Sequence, residues 1–247
     1  MAVLKDFTIL ASHHHRRLPV LPGLLILLLT APALAVTLQP FQVEYQLSRN
    51  GGVLGRATLS LSRDQHGDYT YRNRSRGDNG LAALLRLKVD ETSHFQWTGT
   101  KAHDLGYQYQ LRSLFKTTQR LIRFDWNKHL VQVNESGRIQ KFPTRPGVVD
   151  RNLSVLLLGY AVATGRRGEM TIPVAMRDRV SMQRYRISPS TQRISTPAGS
   201  FNAYEVQRSN ADNGIRAWFT PPLLVPVRMI QHTGKNATVE LQLLRRP

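Results

Sequence analysis

The sequence predicts a mainly β domain, built as one long curved antiparallel sheet in the form of a half-barrel or open barrel, with one or two short helices. Three observations lead there. Apolar and polar residues alternate with period two along most of the chain after residue 40, as half-buried strands require. Short clusters of Gly, Asn, Asp and Ser separate the alternating runs. Only two stretches are too densely apolar for a half-exposed strand. Sheets of about ten twisted strands tend to curl or split, so a two-sheet β-sandwich is the competing arrangement.

The first element is not part of that fold. Lys5, Arg16 and Arg17 precede the apolar run LPVLPGLLILLLTAP, which ends at Ala33-Leu34-Ala35. A basic region, an apolar core and an A-x-A site together make a secretory signal peptide, cleaved after Ala35. An uncleaved anchor is disfavoured because the run falls short of the ~20 apolar residues of a spanning helix, and because it holds Pro19 and Pro22. The histidine run at 13 to 15 lies in the removed segment and has no functional weight. The chain has no cysteine, which excludes disulfides and lipid attachment through an N-terminal cysteine. Residues 36 to 247 are then one mainly β, periplasmic or secreted domain, large enough for a sizeable core.

Within that domain, FQVEYQLS places Phe41, Val43, Tyr45 and Leu47 on one face. Asn50-Gly51-Gly52 turns the chain, and RATLSLS returns Ala57, Leu59 and Leu61 to the same face. DYTYRNRS follows, with Tyr69 and Tyr71 opposite Arg72, Arg74 and Arg76. The same grammar continues through SHFQW, GYQYQLRSLF, RLIRFDW, LVQV and GRIQKF, and later through VSMQRYRIS, QRIS, NAYEVQRS, IRAWF, VPVRMIQ and TVELQLLRR. GLAALLRL (80 to 87) and NLSVLLLGYAVATG (152 to 165) read as helices. Asp150 is an N-cap candidate for the second, and Gly165 closes it.

The string RFDWNKHLVQV crowds an acid, a tryptophan, a lysine and a histidine together, as an active site would. The alternation of Ile122, Phe124 and Trp126 with Arg123 and Asp125 instead places it at a hairpin corner, with Asn127 as the turn residue and the aromatic rings toward the core. His129 has only Asp125 nearby to orient it as a catalytic base. No G-x-S-x-G elbow and no phosphate loop is present, and the histidines at 66, 94, 103, 129 and 232 are scattered singly, without metal-ligand spacing. No catalytic, cofactor or metal residue is therefore expected. TPAGSF reads as a turn, with Pro197 at a turn position and Gly199 supplying a positive φ.

Taken in order, FQVEYQLSRNGGVLGRATLSL, SHF, RFDW, DRNLSVLL, ISTPAGSFNAYEVQRS and AWFTPPLLVPVRM resemble the bacterial exported proteins grouped as domain of unknown function (DUF) 3108. The resemblance spans roughly residues 40 to 245. Its most specific residues are Phe124, Asp125 and Trp126, then Thr196, Pro197, Gly199 and Phe201, then Trp218 and Pro226. It implies a periplasmic, mainly β domain and no assigned activity.

Charge is the remaining clue. The whole chain holds 34 Lys and Arg against 16 Asp and Glu. Removing residues 1 to 35 leaves 31 against 15, a net +16, and 25 of the 31 cations are arginine. Either this excess attracts polyanions or it reflects an arginine-rich genome. For an exported protein the expected polyanion is anionic lipid, lipopolysaccharide or an acidic glycan, met at the membrane periphery, rather than nucleic acid. Arg72, Arg74 and Arg76 are the candidate anion-binding residues. The function expected is a non-enzymatic envelope-binding module. A scaffold binding another envelope protein through a sheet edge is the second reading, and an envelope hydrolase with two distant carboxylates is the third.

Overall fold

The computed structural model describes residues 38–211, 214–233 and 237–245. The signal-peptide segment and its histidine run lie outside the described residues. Fourteen strands and two helices follow in order: β1 (Phe41–Arg49), β2 (Gly52–Arg63), β3 (Tyr69–Gly77), α1 (Gly80–Leu84), β4 (Lys88–Trp97), β5 (Ala102–Arg112), β6 (Thr117–Asp125), β7 (Leu130–Glu135) and β8 (Arg138–Pro143). Next come α2 (Arg151–Ala163), β9 (Gly168–Ala175), β10 (Val180–Thr196), β11 (Gly199–Arg208), β12 (Ile215–Phe219), β13 (Pro226–Thr233) and β14 (Ala237–Leu243).

All fourteen strands belong to one antiparallel sheet. Each pairs with its sequence neighbour from β1 to β8 and from β9 to β14, and β1 pairs with β14 to join the two meanders. The sheet edges are β8 and β9, which do not pair with each other. Instead Val149, just past β8, makes a parallel bridge to Val174 of β9. Its N–H donates to the Pro173 carbonyl at 3.0 Å, and its own carbonyl accepts from Ala175 N–H at 2.9 Å. The result is an open barrel with one stitched seam, rather than a sandwich.

The helix α2 occupies the concave side and contacts β3, β4 and β9. Its Leu153, Leu156, Leu158, Ala161 and Val162 are all buried, which explains why that stretch is apolar around its whole circumference. Tyr45, Tyr71, Tyr107, Tyr185, Phe95 and Phe219 from the surrounding strands are fully buried as well. The aromatic sheet face is thus packed core, not the lining of an open apolar cavity.

Three elements differ from the sequence expectation. VSMQRYRIS and QRIS form one strand, β10, because a break in register between Ile187 and Thr191 absorbs Pro189 within continuous pairing to β11. The strand β9 has no counterpart in the alternation analysis. Pro173 within it argues against a central strand, and the structure reconciles the two by placing β9 at an edge, where a missing N–H costs little. The helix at 80 ends earlier than expected, at Leu84, with Arg86 in the left-handed region at φ 49°.

Gly159 of α2 lies so close to the Leu224 backbone that a methyl group there would run into the Leu224 carbonyl. Gly159→Ala should therefore lower the melting temperature, with a destabilisation of about 1 to 3 kcal/mol as for other overpacked cores. Urea unfolding checks it.

Candidate functional site

The outward face of β2 to β5 carries a row of cations. Register places Arg56 opposite Arg76, Arg76 opposite Lys88, and Lys88 opposite Arg112. Directly opposed residues project from the same face, so these four cations form a ladder across four adjacent strands. With strands about 4.8 Å apart, it spans roughly 15 Å. Like charges directly opposite one another destabilise a sheet. Of the four, Arg76 pairs with Asp78 at 3.2 Å.

The three arginines expected to bind anions divide. Arg72 grips Asp90 through two bonds of 3.0 and 3.1 Å, and Arg74 reaches the same carboxylate at 3.3 Å. Partial burial works to raise the Asp90 carboxyl, but the hydrogen bond and charge of Arg72, and then Arg74, hold it below its ordinary value. Arg76 alone of the three belongs to the ladder. Arg56, Arg76, Lys88 and Arg112 line a groove of about 430 Å³, together with Glu44 and Asp90. A neighbouring groove of about 530 Å³ shares Asp90, Gln110 and Arg112 with it, so the two form one trough.

A second cluster lies inside, where α2 begins. Asp150 caps the helix, accepting from the N–H groups of Asn152 and Leu153. It also accepts from Ser93 Oγ of β4 at 3.0 Å, while its own N–H donates to Asp104 Oδ2 of β5 at 2.6 Å. Asp104 and Asp150 are fully buried. Burial, and then the Asp150 charge, raises the Asp104 carboxyl well above the usual carboxylate range. Burial raises Asp150 from its ordinary 3.8 to about 6, against the pull of its hydrogen-bond donors. Next to this pair, Arg151 binds Glu91 through two bonds of 3.0 and 2.6 Å, and Tyr107 donates to the same glutamate at 2.7 Å. The carboxyl pair is a closed structural latch with no exposed face.

The RFDW string forms the β6–β7 corner. The Asp125 carboxylate accepts from Lys128 N–H at 3.0 Å and pairs with the Lys128 ammonium at 3.5 Å. Exposed His129 sits at φ 53° in the turn. Phe124 is buried and stacks on half-buried Trp126 with centroids 5.7 Å apart, and Trp126 Nε1 donates to the Asp104 carbonyl at 2.8 Å. Thr196 pairs with Gly199 across the β10–β11 turn, where Gly199 has φ 117°, and Pro197 is exposed at its tip. Phe201 and Trp218 are core residues, and the Pro226 carbonyl accepts the Tyr45 hydroxyl at 2.7 Å. Among the described residues, no group of His, Asp or Glu is clustered to hold a metal ion.

The model of one protein family, described as protein of unknown function (DUF3108), matches residues 41–242. The chain belongs to this family. The match starts at the first residue of β1 and ends within β14, two strands that lie side by side. The crystal structure of a β-barrel-like protein of domain of unknown function DUF1849 from Brucella abortus is similar, at 12% identity and a TM-score of 0.44, over 85% of this chain and 98% of that one. No curated protein matches.

Sequence reasoning found Arg76 but missed Arg56, Lys88 and Arg112, which come together only through strand register. It also could not bring Asp104 to Asp150, 46 positions apart.

Two predictions follow from this geometry. Trp126→Ala should destabilise by about 3 kcal/mol, as loss of a packed aromatic does, and His129→Ala by less than about 1 kcal/mol, both read by chemical denaturation. The second concerns pH. Asp104 and Asp150 bind protons in the fold that the unfolded chain has already released. Their contribution to stability is therefore full below about pH 3.8 and is lost as pH rises through about 6 and, for Asp104, beyond. The depressed Asp90 and Glu135 carboxyls act in the opposite sense, but only at lower pH. The melting temperature should therefore fall as pH rises from about 4 through about 6. Asp104→Asn should flatten that fall, while losing one acceptor for a backbone N–H.

Proposed function

We propose that this protein is a non-enzymatic, exported envelope module that binds an anionic component, lipid or acidic glycan, along the outer face of β2 to β5. The observation that carries this reading is the ladder Arg56–Arg76–Lys88–Arg112. Four like charges in register are held at a cost to the sheet, and Arg56, Lys88 and Arg112 make no ion pair among the described residues. A row of phosphates or carboxylates would neutralise them together, and arginine's planar fork suits both groups. The signal-peptide pattern of residues 1 to 35 supports export to the periplasm. Among the described residues, no helix is long and apolar enough to cross a membrane, consistent with peripheral contact.

The alternative readings have less support. Strand addition at an edge is opposed by Arg138, Lys141 and Pro143 on β8 and by Pro173 on β9, residues that blunt edges. Hydrolysis would need carboxylates that substrate can reach, and the neighbouring Asp104 and Asp150 are sealed in the core.

The test uses heparin as a soluble acidic glycan. Wild-type protein should bind it with an affinity that falls steeply from low to physiological salt, because exposed charges are screened over about 8 to 10 Å. The triple variant Arg56→Gln, Lys88→Gln, Arg112→Gln should stay folded with a melting temperature at or above wild type, since it removes directly opposed like charges. Each lost cation removes about 1 kcal/mol at an anionic surface, so affinity should drop about 100-fold. Unchanged affinity in that variant would overturn the reading.

A further inference from the structure

Beyond the ladder, the rim of the sheet carries a cluster of apolar side chains held out in solvent. Phe115 is 82% exposed, Leu84 72%, Leu81 67%, Leu114 53% and Val53 45%. They come from three neighbouring connections. The start of β2 meets the segment before α1, where Asp78 and Asn79 N–H both donate to the Leu54 carbonyl at 2.8 and 3.0 Å. The end of α1 meets the β5–β6 turn, where Leu114 N–H donates to the Leu85 carbonyl at 2.9 Å. The five side chains therefore form one tip.

The tip is built, not frayed. Ser113 fixes the β5–β6 turn with three bonds to Lys116, two through its hydroxyl, and so presents Leu114 and Phe115 at the apex. The helix α1 buries only Ala82, against Gly77, and leaves Leu81 and Leu84 outside. Soluble surfaces expose scattered apolar residues, but a contiguous apolar cluster with a polar surround marks a contact site.

Its surroundings identify the contact. Arg76, Arg86, Lys88, Arg112 and Lys116 flank the tip; of the carboxylates near them, Asp78 is taken by Arg76 and Asp90 by Arg72 and Arg74. The ladder runs perpendicular to the strands, hence parallel to the rim, with its cations at one common depth. Arg112 lies two residues behind Leu114, about 7 Å at strand rise. Apolar groups in front and a level row of cations one layer back match the order of a bilayer surface. There, side chains bury about 5 to 10 Å into the headgroup and acyl boundary while basic residues meet the phosphates. A protein partner would need a concave match for a convex tip and a row of acids at one height, whereas a lipid surface offers both everywhere.

We propose that this rim docks on an anionic lipid bilayer, with Leu81, Leu84, Leu114 and Phe115 entering the interface and the ladder engaging the headgroup phosphates. This rests on the reading of the ladder as an anion-binding row, and adds that the anion belongs to a membrane. The test compares vesicles of phosphatidylglycerol and phosphatidylethanolamine with soluble heparin. Wild-type protein should sediment with these vesicles and far less with neutral phosphatidylcholine vesicles. The variant Leu84→Ser, Phe115→Ser should keep its melting temperature, since both side chains are exposed. It should bind vesicles at least about tenfold more weakly, the equivalent of one buried apolar side chain, and bind heparin as wild type does. In Phe115→Trp, brominated lipid should quench the added fluorescence. Wild-type binding to heparin but not to anionic vesicles, or full vesicle binding by the serine variant, would overturn the docking proposal and leave the ladder reading standing. Loss of heparin binding by the serine variant would overturn it too, because the tip would then not be lipid-specific. Failure of the ladder itself is read separately, from unchanged heparin affinity in the glutamine variant.

Discussion

The carboxylate of Asp150 connects more of this structure than any other side chain. It caps α2 and accepts from β4 through Ser93, while the residue's own N–H donates to Asp104 of β5, and it follows directly on the residue that bridges to β9. A sheet whose two edges do not pair needs some other closure, and here a helix terminus provides it. The cap fixes where α2 enters, α2 fills the concave side, and the strands curl around what fills them. Removing a carboxylate from water is costly, and the surrounding donors offset that cost.

Charge is sorted by the same curvature. Inside, cations are matched: Arg151 with Glu91, Arg120 and Arg177 with Glu135. Outside, on β2 to β5, cations face cations. The two faces of one strand therefore obey different rules. The inner face pairs Arg151 with Glu91 and Arg120 with Glu135, while the outer face pairs Arg72 and Arg74 with Asp90 and leaves Arg56, Lys88 and Arg112 without an ion pair among the described residues.

Much of the fold was legible because alternation is a direct imprint of a half-buried strand. FQVEYQLS, RATLSLS and DYTYRNRS each carry it cleanly, and Asn50-Gly51 announces the first hairpin. GEMTIPVA was not legible, since Met170, Ile172 and Val174 alternate around a proline that only an edge position excuses. The helix at 151 was legible from its apolar density and its cap, but the partners of that cap were not, because Asp104 lies 46 positions away. The arginine ladder falls between these cases. Every member is visible as an outward residue, yet which outward residues stand abreast depends on three successive registers, and a one-residue slip in any of them would scatter the row.

The pairing of β1 with β14 also has a kinetic meaning. Tyr45 and Leu243 face each other across 198 positions of chain, while every other strand pairs with its immediate neighbour in sequence. Local hairpins close fast, and distant pairings are slow because ordering the intervening chain precedes any reward from contact. The thermodynamic penalty is mild, about 0.6 kcal/mol for each doubling of loop length. The chain is thus two self-templating meanders, β1 to β8 and β9 to β14, that can form early and independently and are zipped together by a single late seam. Until that seam closes, the paired faces of β1 and β14 are two open edges at the centre of the future sheet.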